Sequence, residues 1–437
     1  MRPSEQLVLN YLQQRGASKS TDLQLALQSS QATVSRLLAA LSDQLVTLGA
    51  GRATRYAIAQ PVGNAGSQQP LWRVQEDGQV QRIGLLSFLA RNQIHVEAKG
   101  VDLLFEPTGA QELPWFLSPL RAQGFLGRLH AEHLAAMGLS SSIERWDTHA
   151  ILVAAMHTHD APGSLLLGDA PQGGTGATPS LPDDKTGEVL DALCADIART
   201  LPAGSSAGGE QPKFLAVTQA GDHLLVKFSP PLGTPFGDRW SDLLHAEALS
   251  SAVLQRHGQA AAACKVITTL KRTYLLVKRF DRVGSTGRQH VAALGAVHAA
   301  FVPGPYVNWV ATCEALVRQG RLPASDAGAA AFMLAFGRLI GNTDMHSGNA
   351  SFRAKGESLA DIASGRFELT PAYDMLPMRW KPNPLLELAD YTPFTPDTGL
   401  AGTQAQPAAA DYWESLAGLE AVSPALRAVA AAMVSNG

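Results

Sequence analysis

Three oxygen-bearing side chains in the last third of the chain have the types and the order that phosphoryl transfer requires. Asp344 and Asn349 lie five positions apart in a polar run after an apolar segment, and Asp374 follows the next apolar segment. In phosphotransferases an aspartate orients the attacking hydroxyl, while an asparagine and a second aspartate hold Mg²⁺ against the phosphates of ATP. We therefore predict that Asp344 is catalytic and that Asn349 and Asp374 bind the metal ion. Each motif alone also fits a cap or a turn, so the prediction depends on their order.

A lysine within an apolar segment supplies another element of the same chemistry. Lys227 lies in residues 223–228, which we predict to form a strand, and Glu247 lies on a helix predicted for residues 240–254. A buried lysine needs a counter-charge or a phosphate, and a strand lysine paired with a helix glutamate places the ATP phosphates in kinases. The alternative is a lysine at a strand edge whose ammonium group reaches solvent.

Two further segments fit a nucleotide site. Residues 201–217 begin with small residues and run into a predicted strand, so that backbone N–H groups can approach an anion closely. Residues 274–282 form a predicted strand that ends in charged residues where a hinge between two lobes belongs. Val277 and Phe280 in this strand suit apolar contacts with adenine. An ordinary sheet strand closed by an Arg–Asp pair is the alternative for this second segment.

The first 60 residues have the pattern of a nucleic-acid-binding module. They contain six Arg and Lys against three acids, a charge of +3, so the remainder of the −3 chain carries −6. Three predicted helices precede two short strands around a Gly-Ala-Gly turn, which is typical of a winged helix-turn-helix whose third helix enters the major groove. A protein-docking module of the same shape is the alternative. The residues predicted to contact DNA are Gln31, Thr33, Ser35 and Arg36 on the third helix, and Arg52 and Arg55 on the hairpin, where they meet phosphates.

Length and composition limit what the rest of the chain can be. With 437 residues it is too long for one core, and 46% apolar with 17% charged residues is typical of globular domains. No segment has the pattern of a transmembrane span or a signal peptide. Three cysteines far apart predict no disulfide framework, and a reducing cytoplasm is the expected compartment. We predict a DNA-binding domain at residues 1–60, a subdomain at 71–185, and a catalytic region at 186–437 whose N-lobe reaches about residue 280.

Together these motifs resemble the HipA serine/threonine kinases of bacterial toxin–antitoxin systems, and the added N-terminal module is similar to the YjjJ branch of that family. The most specific part is Ile-Gly-x-Thr-Asp-x-His-x-x-Asn at residues 340–349. The resemblance implies an α+β chain in which a winged helix-turn-helix precedes a bilobal, protein-kinase-like fold, with ATP and Mg²⁺ as cofactors. The residues that would line ATP are Ala207, Gly208, Gly209, Gln211, Lys213, Lys227, Glu247, Lys278, Arg279, Phe280, His346, Asn349 and Tyr373.

The same resemblance implies a mode of regulation and a set of partners. In the family a serine heading the glycine loop is autophosphorylated, which expels the loop and inactivates the kinase. Ser206 has that position, and Ser205 precedes it. Family members bind a separate antitoxin and phosphorylate proteins that include aminoacyl-tRNA synthetases. The sequence departs from the family at Lys278, where glutamate is common, and at Pro212, which replaces an acid and removes an N–H donor.

We therefore predict an ATP-dependent serine/threonine protein kinase that acts as a growth-arrest toxin and binds DNA, not membranes. The alternative is a DNA-binding transcriptional regulator whose kinase-like body senses nucleotide with little or no catalysis. A kinase that acts on a small molecule is a third hypothesis for the same residues.

Overall fold

The chain folds into mixed α/β modules, and the computed structural model describes residues 2–109, 112–158, 160–170, 178–200, 211–383, 386–396 and 404–435. Five predicted site residues lie outside these ranges, namely Ser205, Ser206, Ala207, Gly208 and Gly209. The remaining predicted site residues are all within them.

The N-terminal module contains three helices and a three-stranded antiparallel sheet. Val34, Leu37 and Leu38, which the 3.6-residue periodicity places on the inner face of the third helix, are buried in the core of the module. The Ser30 side chain caps this helix by accepting a hydrogen bond from the Thr33 N–H at 3.3 Å. The elements are α1 Pro3–Arg15, β1 Ser18–Lys19, α2 Ser20–Ala26, α3 Gln31–Ala40, β2 Leu45–Leu48 and β3 Arg55–Ile58, with strand order β1-β3-β2.

A five-stranded antiparallel sheet forms the middle of the chain, and the N-terminal module docks against it. The Arg91 guanidinium donates to the Gln14 carbonyl at 2.7 Å, and the Ala17 N–H donates to the Gln93 side chain at 3.2 Å. Leu89, at the end of the sheet, packs into a small apolar cluster shared with the hairpin of the module. The elements are β4 Gln68–Val74, β5 Val80–Phe88, β6 Ile94–Ala98, β7 Val101–Phe105, α4 Gly124–Ala135, α5 Thr148–Met156 and β8 Leu165–Leu167.

A second five-stranded sheet follows, and one long helix packs on it. Four strands are antiparallel, and β9 joins the edge in parallel with β10. Leu244 of the helix packs on Leu275 and Val277 of the sheet, which fixes one face of the helix against the strands. The elements are β9 Ser180–Leu181, α6 Thr186–Thr200, β10 Lys213–Thr218, β11 His223–Phe228, α7 Pro235–Arg256, β12 Cys264–Thr268 and β13 Thr273–Lys278, with strand order β12-β13-β11-β10-β9.

The C-terminal part is mostly helical and contains a small three-stranded sheet. Its large aromatic and aliphatic residues form one core that extends to the middle sheet. The elements are β14 Arg282–Val283, β15 Gly287–Arg288, β16 Val291–Ala293, α8 Leu294–Phe301, α9 Trp309–Arg318, α10 Ala324–Leu339, β17 Ser351–Ala354, α11 Leu359–Ala363, β18 Phe367–Leu369, α12 Gln406–Ala417 and α13 Pro424–Ser435. Among the described residues, every helix is too short or too polar to cross a bilayer.

The end of α10 sets the direction of the polar run that follows it. Gly341 has φ 79°, a conformation that glycine adopts without a Cβ penalty. The Asn342 N–H then donates back to the Gly337 carbonyl at 2.8 Å, and the Gly341 N–H donates to the Arg338 carbonyl at 3.1 Å. These bonds satisfy carbonyl groups at the helix terminus. The loop that carries Asp344 is therefore attached to a rigid, buried helix.

Candidate active site

The loop after α10 is folded by hydrogen bonds to the backbone of its central aspartate. The Asp344 N–H donates to the Asn342 side chain at 3.0 Å, and the Asn349 amide donates to the Asp344 carbonyl at 2.8 Å. His346 lies beside the same residue, with 3.7 Å between its Nε2 and the Asp344 Oδ1. The Asp344 carboxylate is 42% exposed, so it faces solvent while its backbone is held.

Asn342 connects this loop to the third predicted residue. It is 4% exposed, and its amide donates to the Asp374 carbonyl at 3.2 Å. The structure thus brings Asp344, Asn349 and Asp374 to one place through a residue that the sequence analysis did not single out. Its signal in the sequence is an asparagine directly after a helix-ending glycine, a position from which a short amide side chain reaches nearby backbone groups.

Lys227, on β11 of the second five-stranded sheet, joins the same cluster. It is 3% exposed, and its Nζ lies 2.5 Å from the Glu247 Oε1 on α7 and also contacts the Asp374 Oδ1. Asp374 has φ 53°, the left-handed region that non-glycine residues seldom occupy. This backbone conformation accompanies the contact between its carboxylate and the lysine. The strand-edge alternative for Lys227 is wrong, because the ammonium group is buried between two carboxylates.

The electrostatics of this cluster show one buried cation shared by two carboxylates. Burial opposes the charge of Lys227, but the carboxylates of Asp374 and Glu247 outweigh it and raise the lysine pKa. Burial raises the pKa of Glu247, whereas Lys227 and Lys213 hold the pKa of Asp374 below its ordinary value against the effect of burial. The Glu247 Oε2 has no hydrogen-bond partner among the described residues. With both acids ionised, Lys227, Glu247 and Asp374 carry one net negative charge, and Lys213 acts on both carboxylates as a second cation.

The donor set fits Mg²⁺. Asp374 is 30% exposed and contributes carboxylate oxygens, and the Asn349 amide donates through its nitrogen, which leaves its oxygen for a cation. Mg²⁺ prefers oxygen ligands and keeps several waters, so two protein ligands are sufficient. Among the described residues, no group of three or more His, Cys, Asp or Glu side chains could hold a metal ion. A metal ion at this place would therefore need the Asn349 amide oxygen and water as further ligands.

The segment predicted to be a hinge has its polar side chains engaged elsewhere. The Lys278 Nζ pairs with Asp222 at 2.7 Å, and the Arg279 guanidinium pairs with Asp160 and Asp281 at 2.6 and 3.0 Å. The backbone N–H groups of Lys278 and Arg279 also donate to other backbone carbonyls. The structure therefore does not bring these two side chains to the Lys227 cluster, and it shows the Arg–Asp pair of the alternative interpretation.

Other predicted nucleotide residues do lie around the cluster. The Phe280 ring packs on Tyr373 with 5.5 Å between centroids, and the Tyr373 hydroxyl contacts Ser351 at 2.7 Å. Lys213 lies opposite Lys227 in the β10–β11 pairing. Gln211, where the described chain resumes after the glycine loop, has a buried amide nitrogen without a partner among the described residues. This orphaned donor is consistent with a ligand above β10.

The predicted DNA-contacting residues form a separate, solvent-facing set. Gln31, Ser35 and Arg36 are exposed on one side of α3, opposite its buried leucines. Arg52 and Arg55 are exposed at the β2–β3 turn and on β3. Thr33 is half-buried, and its hydroxyl contacts the Ser30 hydroxyl at 3.1 Å.

The comparisons with known proteins identify the family. Residues 205–436 match the HipA-like C-terminal domain, and residues 65–173 match the middle domain of YjjJ-like toxins. The toxin YjjJ of Escherichia coli (strain K12) is 33% identical over 434 residues, covering 96% of this chain and 94% of that protein. The chain therefore belongs to the HipA-like toxin family, in its YjjJ-type branch, and the resemblance drawn from the motifs is confirmed.

Two solved structures show more distant similarity. HipA of Shewanella oneidensis MR-1, solved with HipB and operator DNA, has a TM-score of 0.49 and 18% identity, with 84% of this chain and 87% of that chain covered. The Helicobacter pylori proinflammatory kinase CtkA has a TM-score of 0.35 and 11% identity, with 51% of this chain and 89% of that chain covered.

Proposed function

We propose that this chain is an ATP-dependent serine/threonine protein kinase that acts as a growth-arrest toxin. The observation that carries the proposal is the meeting of Lys227, Glu247 and Asp374 beside the loop that holds Asp344 and Asn349. Strand lysine, helix glutamate, catalytic-loop aspartate and asparagine, and a later aspartate are the components of kinase catalysis.

Each side chain has a defined task in this proposal. Asp344 accepts a hydrogen bond from the hydroxyl of the substrate and orients it toward the phosphate. Lys227, held by Glu247, places its ammonium group toward the ATP phosphates, and Asp374 and Asn349 are the ligands for Mg²⁺. The metal ion, when bound, neutralises the charge that develops on the transferred phosphate. Because α10 and Asn342 fix the loop, Asp344 and Asn349 need little reorganisation for the reaction.

The class of substrate is tested by following the phosphate. Cell lysate incubated with the protein and γ-labelled ATP should carry label on serine and threonine of proteins. Label found only on small molecules would support the third hypothesis and contradict a protein kinase. Aminoacyl-tRNA synthetases are the targets that the family suggests, and they should be examined first among the labelled proteins.

We propose in addition that the glycine loop is a site of autophosphorylation. Ser206 heads the loop and Ser205 precedes it; a phosphate there would add about −1.5 to −2 charge close to the ATP phosphates. We expect Ser206→Ala to stay active longer than the wild type during incubation with ATP. Mass spectrometry of the wild type, with Ser205→Ala as the matched control, checks the site. Absence of phosphate from both serines would contradict this mechanism.

The N-terminal module is proposed to be a winged helix-turn-helix that binds DNA. The supporting observation is a +3 segment in which side chains on α3 and on the hairpin are exposed in the described part of the chain, namely Gln31, Ser35, Arg36, Arg52 and Arg55. A separate antitoxin partner for this chain, and a cytoplasmic location, are proposed from family membership alone.

Arg36→Ala is expected to lower DNA affinity by about tenfold or more without changing phosphate transfer. An arginine that contacts a base edge contributes about 1–3 kcal/mol of discrimination. Losing one phosphate contact instead reduces the slope of log affinity against log salt concentration by about 1. Titrations of operator DNA at several salt concentrations should therefore separate Arg36→Ala from Arg52→Ala. Arg82→Ala, an exposed charge on β5, is the control. Equal loss of DNA binding and kinase activity in Arg36→Ala would indicate misfolding.

A further inference from the structure

A second polar cleft lies between the middle sheet and the β17–β18 hairpin. Its volume is about 300 Å³, and its wall includes Arg73, Glu76, His290, Arg353, Lys355 and Glu368. Asn349 precedes β17, and Ala354 is the last residue of this strand. None of the wall residues belongs to the Lys227 cluster or to the loop that holds Asp344 and Asn349, so the cleft is separate from the candidate active site.

Arg73 provides a buried positive charge at this cleft. It is 7% exposed, and its Nη2 donates to the Gly356 carbonyl at 2.6 Å. Its Nε and Nη1 have no hydrogen-bond partner within the described residues, and no carboxylate there lies within ion-pair distance. Burial lowers the pKa of Arg73, and the carboxylates of Glu357, Glu76 and Asp361 oppose that shift. Buried guanidinium N–H groups without hydrogen-bond partners are costly, so an anion that accepts hydrogen bonds from them would stabilise the side chain.

The hairpin supplies a second incompletely satisfied arginine. The Lys355 Nζ lies 2.5 Å from the Glu368 Oε1, and the Arg353 Nη1 lies 3.6 Å from the Glu368 Oε2. The Glu368 carboxylate thus pairs with two cations, and the Arg353 Nε is buried without a partner in the described part of the chain. The Arg353 side chain is 31% exposed, so solvent and small solutes reach it.

The remaining titratable wall residues, Glu76 and His290, offset only part of the positive charge of Arg73, Arg353 and Lys355. Glu76 is exposed at the rim, and its Oε1 accepts a hydrogen bond from the Gln289 amide at 3.0 Å. His290 is 2% exposed, and its burial, followed by the charge of Arg73, lowers its pKa to about 3, so the ring is neutral at physiological pH. Two arginines and one lysine therefore share the wall with two carboxylates, Glu368 inside and Glu76 at the rim, an excess of one positive charge among the wall residues.

We propose that this cleft binds a phosphate group, either as the free ion or as a small phosphomonoester. The guanidinium N–H groups of Arg73 and Arg353 that lack partners in the described part of the chain suit phosphate oxygens, which guanidinium groups bind through short, charge-assisted hydrogen bonds. The volume is sufficient for a phosphate with a small organic group attached. The site lies outside the candidate nucleotide cleft and does not depend on the proposed kinase activity.

Titration with inorganic phosphate, followed by the ³¹P line width, tests this site on the full chain. We expect wild-type protein to broaden the signal saturably at constant ionic strength, and Arg353→Gln to weaken the affinity by about tenfold, as loss of one charge-assisted hydrogen bond does. Lys265→Gln, an exposed charge on β12, should match the wild type. Acetate at equal ionic strength should compete poorly, because it is a monoanion.

Further variants separate this cleft from others and from loss of fold. Lys213→Gln should retain phosphate binding, because Lys213 belongs to the nucleotide cleft. Loss of binding in that variant would show that phosphate occupies the nucleotide cleft and would overturn the proposal. An Arg353→Gln protein with wild-type phosphate affinity would also overturn it, as would a wild-type protein without broadening. The phosphate affinity of Arg73→Gln is measured only if circular dichroism shows that this variant is folded. If it is not folded, the result for Arg353→Gln alone decides whether the cleft binds phosphate. A titration with glycerol 3-phosphate shows whether the organic group adds affinity.

Discussion

Asp344→Asn is expected to reduce phosphate transfer from ATP by about a thousandfold, within the 10²–10⁴ range typical of a lost general base. The loop should keep its shape in this variant. Its two anchoring bonds involve the N–H and carbonyl of Asp344, not the carboxylate, and a third bond joins Asn342 to Asp374. Asparagine retains the size of the side chain. Loss of activity with an unchanged fold would therefore report the carboxylate itself.

The measurement is the initial rate of autophosphorylation and of substrate labelling at saturating ATP. ATP affinity, measured separately, should change little, because Asp344 is assigned to the hydroxyl and not to the nucleotide. Asp77→Asn is a suitable control, since Asp77 is exposed on the β4–β5 turn and its Oδ1 accepts the Gln79 N–H at 2.9 Å, which asparagine can also do. Equal rates in Asp344→Asn and the wild type would remove the catalytic assignment.

The same variant separates the two main functional hypotheses. A DNA-binding regulator that only senses nucleotide would show no phosphate transfer in the wild type either, with DNA affinity unchanged by Asp344→Asn. Its DNA affinity would instead respond to ATP. The proposed kinase shows transfer in the wild type and loses it in the variant, whatever happens to DNA binding.

Local sequence patterns predicted the parts of the site that depend on a single element. The apolar strand around Lys227 and the helix that carries Glu247 are both encoded within short segments. The pairing of Lys227 with Glu247 also followed, because an ionised lysine cannot be buried without a counter-charge. The order of the motifs along the chain predicted that Asp374 belongs to the same site, and the fold brings its carboxylate into contact with Lys227.

Contacts between distant segments could not be read from local patterns. The assignment of Arg279 to the ATP site stays a prediction, but the partner of its guanidinium, Asp160 at 2.6 Å, is 119 residues away in the chain and was not predicted. Asn342 was not identified because its importance depends on where Asp374 arrives after the β17–β18 hairpin. The cleft around Arg73 likewise exists only because β4 and the hairpin meet. Side-chain partners of this kind depend on tertiary packing, which periodicity does not report.

Lys227→Met should both abolish ATP-dependent transfer and destabilise the fold. Removing one partner from a buried ion pair costs about 3–5 kcal/mol, because the remaining charge stays buried. Here two carboxylates remain, those of Glu247 and Asp374, and Glu247 is 4% exposed. Chemical denaturation with urea measures the loss. Lys265→Met, an exposed residue of the same sheet, should unfold close to the wild type.

Lowering the pH should partly restore the stability of Lys227→Met. Without the ammonium group, burial and mutual repulsion raise the pKa of both carboxyl groups in the folded protein above their unfolded values. A group with a raised folded pKa binds more protons when folded, so the penalty is absent below the unfolded pKa and grows as pH rises toward the folded pKa. Moving from pH 8 to pH 5 should therefore narrow the difference between Lys227→Met and the wild type.

Glu247→Gln combined with Lys227→Met separates stability from catalysis. The double variant removes one of the two uncompensated charges, so we expect it to recover a substantial part of the stability lost in Lys227→Met. It should recover no phosphate transfer, since the ammonium group that faces the ATP phosphates is still absent. If the double variant were as unstable as Lys227→Met at every pH, the two carboxylates would not be the source of the instability. If Lys227→Met kept wild-type transfer, the ammonium group would have no part in binding the phosphates, and Lys227 would serve only to neutralise its two neighbours.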